Sequence, residues 1–174
     1  MAITSFDDIK PTPGAAANAF EIIFEVQPYG DGTPVDGAWE VVPDITAFAP
    51  TFAPKTADTT TYAHKGSAST TKIGADWSGS LNILKIRQQD GNFQPSYLIF
   101  KNAADGIGID NLLHVRYYDA LGADEAYQGI AGISVDRQGT GNEDKGWMTV
   151  NLTGDGPFNP IPNPLAATAP VEGV

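Results

Sequence analysis

Lys55 to Ile86 reads KTADTTTYAHKGSASTTKIGADWSGSLNILKI, and the fold class turns on how this stretch divides. Its first half, through Thr71, holds almost nothing to bury. From Ile73 onward apolar side chains recur at every second position, Ile73, Ala75 and Trp77, then Leu81 and Ile83 across Gly79. That period belongs to a strand with one buried face. A polar excursion therefore feeds a long strand. Inside a compact domain a structureless loop of this length is uncommon unless it has a function of its own. It is expected to span residues 47–72, since Pro50 and Pro54 stiffen its beginning and Thr, Ser and Gly loosen its middle.

Outward from this stretch the same period recurs. FEIIFEVQP sets Phe20, Ile22, Phe24 and Val26 on one face, with Glu21, Ile23, Glu25 and Gln27 on the other. YGDGTPVDG is turn chemistry, and WEVVPDIT is a strand interrupted by Pro43, which cannot donate to a ladder. After QQDGN comes one convincing helix, with Asn92 as expected N-cap, Pro95 in its first turn and Gly106 as its stop. Phe93, Tyr97, Phe100 and Ala104 form its apolar stripe. IDNLLHVRYYDA and EAYQGIAGISVDRQ flank the turn LGAD as a hairpin, and WMTVNLTG is a final strand.

This order predicts an α+β domain, mainly antiparallel β. Two packed sheets, a β-sandwich or partial barrel, are expected with one flanking helix and the long loop. Residues 1–19 read as a flexible arm, 20–156 as the domain, and the proline-rich 157–174 as a second, extended arm.

Composition narrows the function classes. The chain has 21 acidic and 10 basic residues, a formal net charge of −11, and no cysteine. Phosphate backbones bind through clustered Lys and Arg, and none are clustered here. The start lacks the basic and apolar regions of a signal peptide, and no window approaches the ~18 apolar residues of a membrane span, so a soluble, unexported protein is expected.

No nucleophile elbow, phosphate loop, dinucleotide fingerprint or zinc-protease motif occurs. His64 sits in the polar loop and His114 in a strand, neither near a second histidine, so His114 reads as structural. Asp136, Asn142, Glu143 and Asp144 depart from the EF-hand spacing and read as an ordinary turn. The pairs Asp7 with Asp8 and Asp124 with Glu125 lie in arms or turns, and a general acid needs a desolvated pocket. No catalytic residue, cofactor site or metal site is assigned. A second reading, a carbohydrate- or protein-binding β-sandwich module, would use Trp39, Trp77 or Trp147 as stacking platforms.

The ordered pieces WEVVPDIT, KTADTTTYAHKG, DWSGSLNILKIRQQD, PSYLIFKNAADG, VRYYDALGADEAYQGIAGISVD and WMTVNLTGDG together resemble a known family. It is the major tail tube proteins of long, non-contractile-tailed bacteriophages. The resemblance covers about Phe20 to Gly156. It implies a virion structural protein, not an enzyme, assembled in the bacterial host cytoplasm into hexameric rings stacked as a hollow tube. Its partners would be further copies of itself and the tape measure, tail tip and terminator proteins, with DNA passing through the lumen unbound. A secretion-tube or tail-completion subunit of the same fold is the related alternative. The loop residues Lys55, Thr56, Asp58, Thr60, Tyr62, His64 and Lys65 would then bridge rings, ordering only on a partner. Glu21, Glu25, Glu40 and Asp44 are the candidate lumen-facing carboxylates, giving duplex DNA no site to condense upon.

Overall fold

The computed structural model describes residues 16, 18–137 and 145–166. Among the described residues eight strands form in chain order: β1 (Ile22–Pro28), β2 (Glu40–Val41), β3 (Ile45–Asp58), β4 (Thr70–Leu84), β5 (Leu112–Asp119), β6 (Ala126–Arg137), β7 (Trp147–Gly154) and β8 (Asn159–Pro160). Helix α1 (Pro95–Asp105) lies between β4 and β5. The strands pair as β2-β1-β5-β6-β7-β4-β3, with β8 against β6, and every pairing is antiparallel. The mainly antiparallel α+β class is therefore as expected. No helix among the described residues is long and apolar enough to cross a membrane.

The expectation of two sheets is corrected: hydrogen bonding makes one. It doubles back so far that its ends meet. Phe48 of β3 lies 5.1 Å, ring to ring, from both Phe24 of β1 and Tyr117 of β5, although β3 stands at one end of the strand order and β1 is next to the other end. A strongly twisted strip buries its apolar face by curling over it, giving a partial barrel from a single ladder. The interior holds Val26, Leu81, Ile83, Val115, Met148 and Val150, all essentially sealed from solvent.

Helix α1 fills part of this interior. Tyr97, Phe100 and Ala103 are buried, while Phe93 and Ala104 pack at its margin. The N-cap is Gln94 in place of Asn92, with Pro95 at the first helical position, where its missing N–H costs nothing. Gly106 does end the helix, but for reasons of space. Its φ is −79°, and a Cβ there would come within 2.6 Å of the Asp110 carbonyl oxygen.

The proline-rich end is not a free arm as far as residue 166. After β7 the chain bulges over 155–158, then rejoins β6 as β8, through Tyr127↔Pro160 and Gln128↔Asn159. The bulge turns Phe158 inward, 4.2 Å from Trp77 and 5.8 Å from Tyr117 between ring centroids. Asn163 is buried, and its Nδ2 donates to the carbonyls of Asp119 (2.9 Å) and Ala123 (2.7 Å), clipping the strap to the β5–β6 turn. Residues 1–15, 17 and 167–174 of the expected arms lie outside the described set.

Gly129 makes room for Phe158, since a Cβ there would fall 2.4 Å from its ring. Phe158→Ala should cost about 2–3 kcal/mol in urea unfolding, below a fully buried phenylalanine because Phe158 is only partly covered. Gly129→Ala should cost about 1–3 kcal/mol by overpacking, and most of that should vanish in the Phe158→Ala background.

Candidate functional site

Strands β3 and β4 pair from Ile45↔Ile83 out to Asp58↔Thr70, with irregularities between Ile45 and Ala47 and between Lys55 and Thr56. The reading of 47–72 as a loop is thus corrected, for most of it is a long two-stranded ribbon. Pro50 and Pro54 argue against a strand, yet β3 is an edge, where a missing donor is harmless if it points outward. Four residues apart, both prolines have the same parity and can turn their nitrogens to the open side. Burial divides the ribbon at Trp77. On its inner side Trp77, Leu81 and Ile83 are buried, while no side chain in Ala49–Asp58 or Thr70–Asp76 is. Ile73, which shares the parity of the core residues in the sequence but is left unpaired by the irregularity between Lys55 and Thr56, is 69% exposed.

The outer half forms an arm with a well-defined tip. Lys55 pairs with Asp76 at 2.6 Å on the exposed ribbon, next to Thr56. The Thr59 N–H donates to the Ser69 carbonyl (2.8 Å), and Thr60 Oγ1 accepts the Ser69 N–H (2.9 Å). Asp58 Oδ1 accepts the Thr60 N–H (2.8 Å), and hydrogen bonds from Thr60 hold this carboxyl below its ordinary range. Tyr62–His64 make a single 3-10 turn, His64 Nδ1 accepts the Thr61 N–H (2.9 Å), and Lys65 takes the left-handed conformation at φ 49°. Tyr62 is wholly exposed. Ordering on a partner was expected. Instead the tip closes through its own hydrogen bonds while burying no side chain.

The four carboxylates expected on one wall are not equivalent. Glu25 is buried and ion-paired to Arg116 Nε, so it is withdrawn from any open surface. Residues 29–39 cover that face of β1 and β5. The Trp39 ring lies 4.2 Å from the Arg116 guanidinium, Gln27 Oε1 accepts the Val35 N–H (2.9 Å), and Tyr29 stacks on His114 at 5.2 Å. Glu21, Glu40 and Asp44 stay half-buried. His114 is buried, as suits a structural histidine, and its Nε2 has no hydrogen-bond partner among the described residues. Burial pushes its pKa down from 6.5, opposed by the Tyr29 backbone and by Asp31. Burial likewise pushes the Tyr117 phenol up to about 12.

One further surface escaped the sequence reading. On the outer face of β4 and β7, Ser78, Ser80 and Asn82 stand opposite Thr153, Asn151 and Thr149, with Asp136 of β6 beyond. Thr149 Oγ1 donates to Asn82 Oδ1 (2.7 Å), and Asn151 Nδ2 to Asp136 Oδ2 (2.9 Å). The polar half of the alternation in DWSGSLNIL and MTVNLT was the available signal. Trp77 is buried and Trp39 is half-covered against Arg116, which removes both as open stacking platforms. Asn142, Glu143 and Asp144 lie outside the described residues, and among the described residues no His, Cys, Asp and Glu side chains gather as a metal site.

The overall fold has counterparts among solved structures. The SPP1 tail tube, solved by solid-state NMR and cryo-EM, matches with TM-score 0.64 at 14% identity, over 87% of this chain and 84% of that one. The fold is that of a tail tube subunit. A chain in the tail of an empty gene transfer agent particle, refined with C6 symmetry, matches with TM-score 0.58 at 17% identity, covering 84% of this chain and 99% of that one. A chain in the virion of a native gene transfer agent particle gives TM-score 0.58 at 14% identity over 82% and 97%. No family model and no curated protein matches the chain. Within this tail-tube fold the arm and the two sheet edges, β3 at one end and β2 at the other, are the parts left without partners in a single copy.

Removing Arg116 strands a buried carboxylate. Arg116→Ala should therefore destabilise the fold by about 3–5 kcal/mol in chemical denaturation, with Glu25→Gln recovering part of the loss. For His114, the folded pKa lies below the unfolded value, so on acidification the unfolded chain takes up its proton first. This group's share of stability is intact above pH 6.5 and is lost as the pH falls through the folded pKa. Thermal melts across that range should show the decline in the wild type, and His114→Gln should flatten it.

Proposed function

We propose that this chain is the building block of a phage-type tail tube. Copies join edge to edge into hexameric rings, and the rings stack through the arm into a hollow conduit for DNA. The arm carries this reading: a ribbon without a partner layer, whose tip is ordered but uncovered, is built to be covered by something else. An isolated two-stranded hairpin is marginal in water, which favours one that docks. The assembled state of the SPP1 tail tube and the C6 symmetry of the gene transfer agent tail support a ring of this kind.

The remaining partners would be tail proteins that start, measure and end the tube, and the location would be the virion. The formal charge of −11 gives a passing duplex no cation cluster to grip. At physiological salt screening confines repulsion to about 8 Å, so acidity makes a wall non-adhesive without pushing across a bore. Glu21, Glu40 and Asp44 are the surface carboxylates available to such a wall, with Glu25 excluded by its ion pair. No constellation for catalysis enters this reading.

Electron microscopy of the concentrated protein, alone or seeded with tail-tip proteins, should show rings or tubes. A chain that stays monomeric under all such conditions overturns the proposal. Deleting Thr56 to Thr71 should leave a cooperatively folding monomer unable to polymerise, because those residues bury no side chain. Loss of folding would place them in the core.

A further inference from the structure

Residues 29–39, YGDGTPVDGAW, lie across the outer face of β1 and β5, yet none of their side chains is buried. Three contacts hold them there. The Tyr29 ring stacks on His114 at 5.2 Å, the Val35 N–H reaches Gln27 Oε1 (2.9 Å), and the Trp39 ring lies 4.2 Å from the Arg116 guanidinium. Near the two ends of the segment Gly30 and Gly37 take φ of 58° and 83°, with open space where a Cβ would stand. Left-handed backbone, not crowding, calls for glycine at both. A segment tied by a few surface contacts, with no side chain in the core, belongs to the part of a fold that opens locally while the rest stays closed.

Beneath the segment lie polar side chains that strands seldom bury. Glu25 stands opposite Arg116, and Gln27 opposite His114. Glu25 is satisfied by Arg116 and Gln27 by Val35, whereas His114 Nε2 is sealed from solvent with no partner among the described residues. A neutral ring leaves only an uncharged nitrogen there. A protonated ring would carry a second N–H and a charge, both of which need a partner or water. The groups facing the ring are Tyr29 and Asp31 from the covering segment, Gln27 and then Glu25 from β1, Arg116 two residues along β5, and the apolar Ile130 from β6. Of the two acids, Glu25 is already paired, and Asp31 is exposed, its Oδ1 accepting the Thr33 N–H (3.4 Å). Burial disfavours the charged ring more than Asp31 and the Tyr29 backbone favour it.

We propose that residues 29–39 are a lid, hinged at Gly30 and Gly37, which lifts off β1 and β5 when His114 takes up a proton, so that mild acid opens this face of an otherwise folded chain. The device belongs to a single copy and is independent of the tube reading. With the lid closed the ring is held neutral, and with the lid open it titrates near its ordinary 6.5. The closed lid therefore has its full advantage above pH 6.5 and loses it as the pH falls through the closed-state pKa. Opening uncovers the Glu25–Arg116 pair beside β2, a polar surface that neutral pH keeps out of reach.

Amide hydrogen exchange of the full chain, followed by NMR between pH 7.5 and 5.5 and corrected for the intrinsic pH dependence of exchange, tests it. Protection of the Val35 N–H, whose acceptor is Gln27, should fall at least about twofold across this range and by no more than about tenfold per pH unit, the limit for one proton. The Val150 N–H in the core strand β7 should keep its protection. His114→Gln should abolish the fall at Val35. Asp31→Asn, an exposed change, removes the acid that favours the charged ring under the closed lid, so it should deepen the fall. If Val35 and Val150 lose protection together, the chain opens as a whole and there is no lid. A fall that persists in His114→Gln, or that shrinks in Asp31→Asn, assigns the opening to another group and overturns the proposal. Should His114→Gln fail to fold, the Asp31→Asn chain decides alone.

Discussion

Phe48 stands between Phe24 and Tyr117, and that contact between the two ends of one sheet determines what the rest of the chain can do. A strip of strands with one apolar face must cover it. Here the cover is the strip itself, helped by α1 and by Phe158. Because β3 is drawn inward at Phe48, the ribbon it forms with β4 is anchored at its base by Phe52, whose ring lies 5.9 Å from Phe158 and 6.2 Å from Tyr127. Closure by side chains without closure by hydrogen bonds leaves both edges open and a cleft between them. The same feature holds the chain together and leaves its sheet edges unpaired.

Much of this was legible in the sequence, and the failures have physical causes. Period-two alternation located β1, β4, β5, β6 and β7, and Pro95 with Gly106 bracketed the helix, because these signals depend only on neighbours along the chain. The extent of the body did not follow from them. Ile73 and Trp77 share a parity in the sequence, yet Ile73 falls at the ladder irregularity opposite Lys55 and Thr56, and only Trp77 meets a second layer, which Phe158 supplies from the far end of the chain. Pro50 and Pro54 suggested a loop because alternation cannot say which strand will be an edge. Glu25 was assigned to the correct face of β1, but that face is covered by Trp39 and Tyr29 from a segment whose composition announces only turns.

The order already present in the arm changes how assembly would be restrained. A disordered tether loses conformational entropy when it docks, which delays premature contact. A tip held by Thr59, Thr60, Thr61 and Ser69 has lost most of that entropy on folding, so the docking proposed for it would be cheaper and pre-organised. Restraint then falls to the edge of β3, where Pro50 and Pro54 remove donors that a stray strand would need.

Because the tip hydrogen-bonds only to itself and buries nothing, its outward side chains answer to no constraint from the core. On the proposed reading, folding and partner choice would be written in separate parts of the chain. Descendants of such a sequence could recode their contacts, tip and receptor together, while Phe48, Trp77 and Phe158 stay as they are. Two such lineages sharing a cell could build their own assemblies without mixing, on an unchanged architecture.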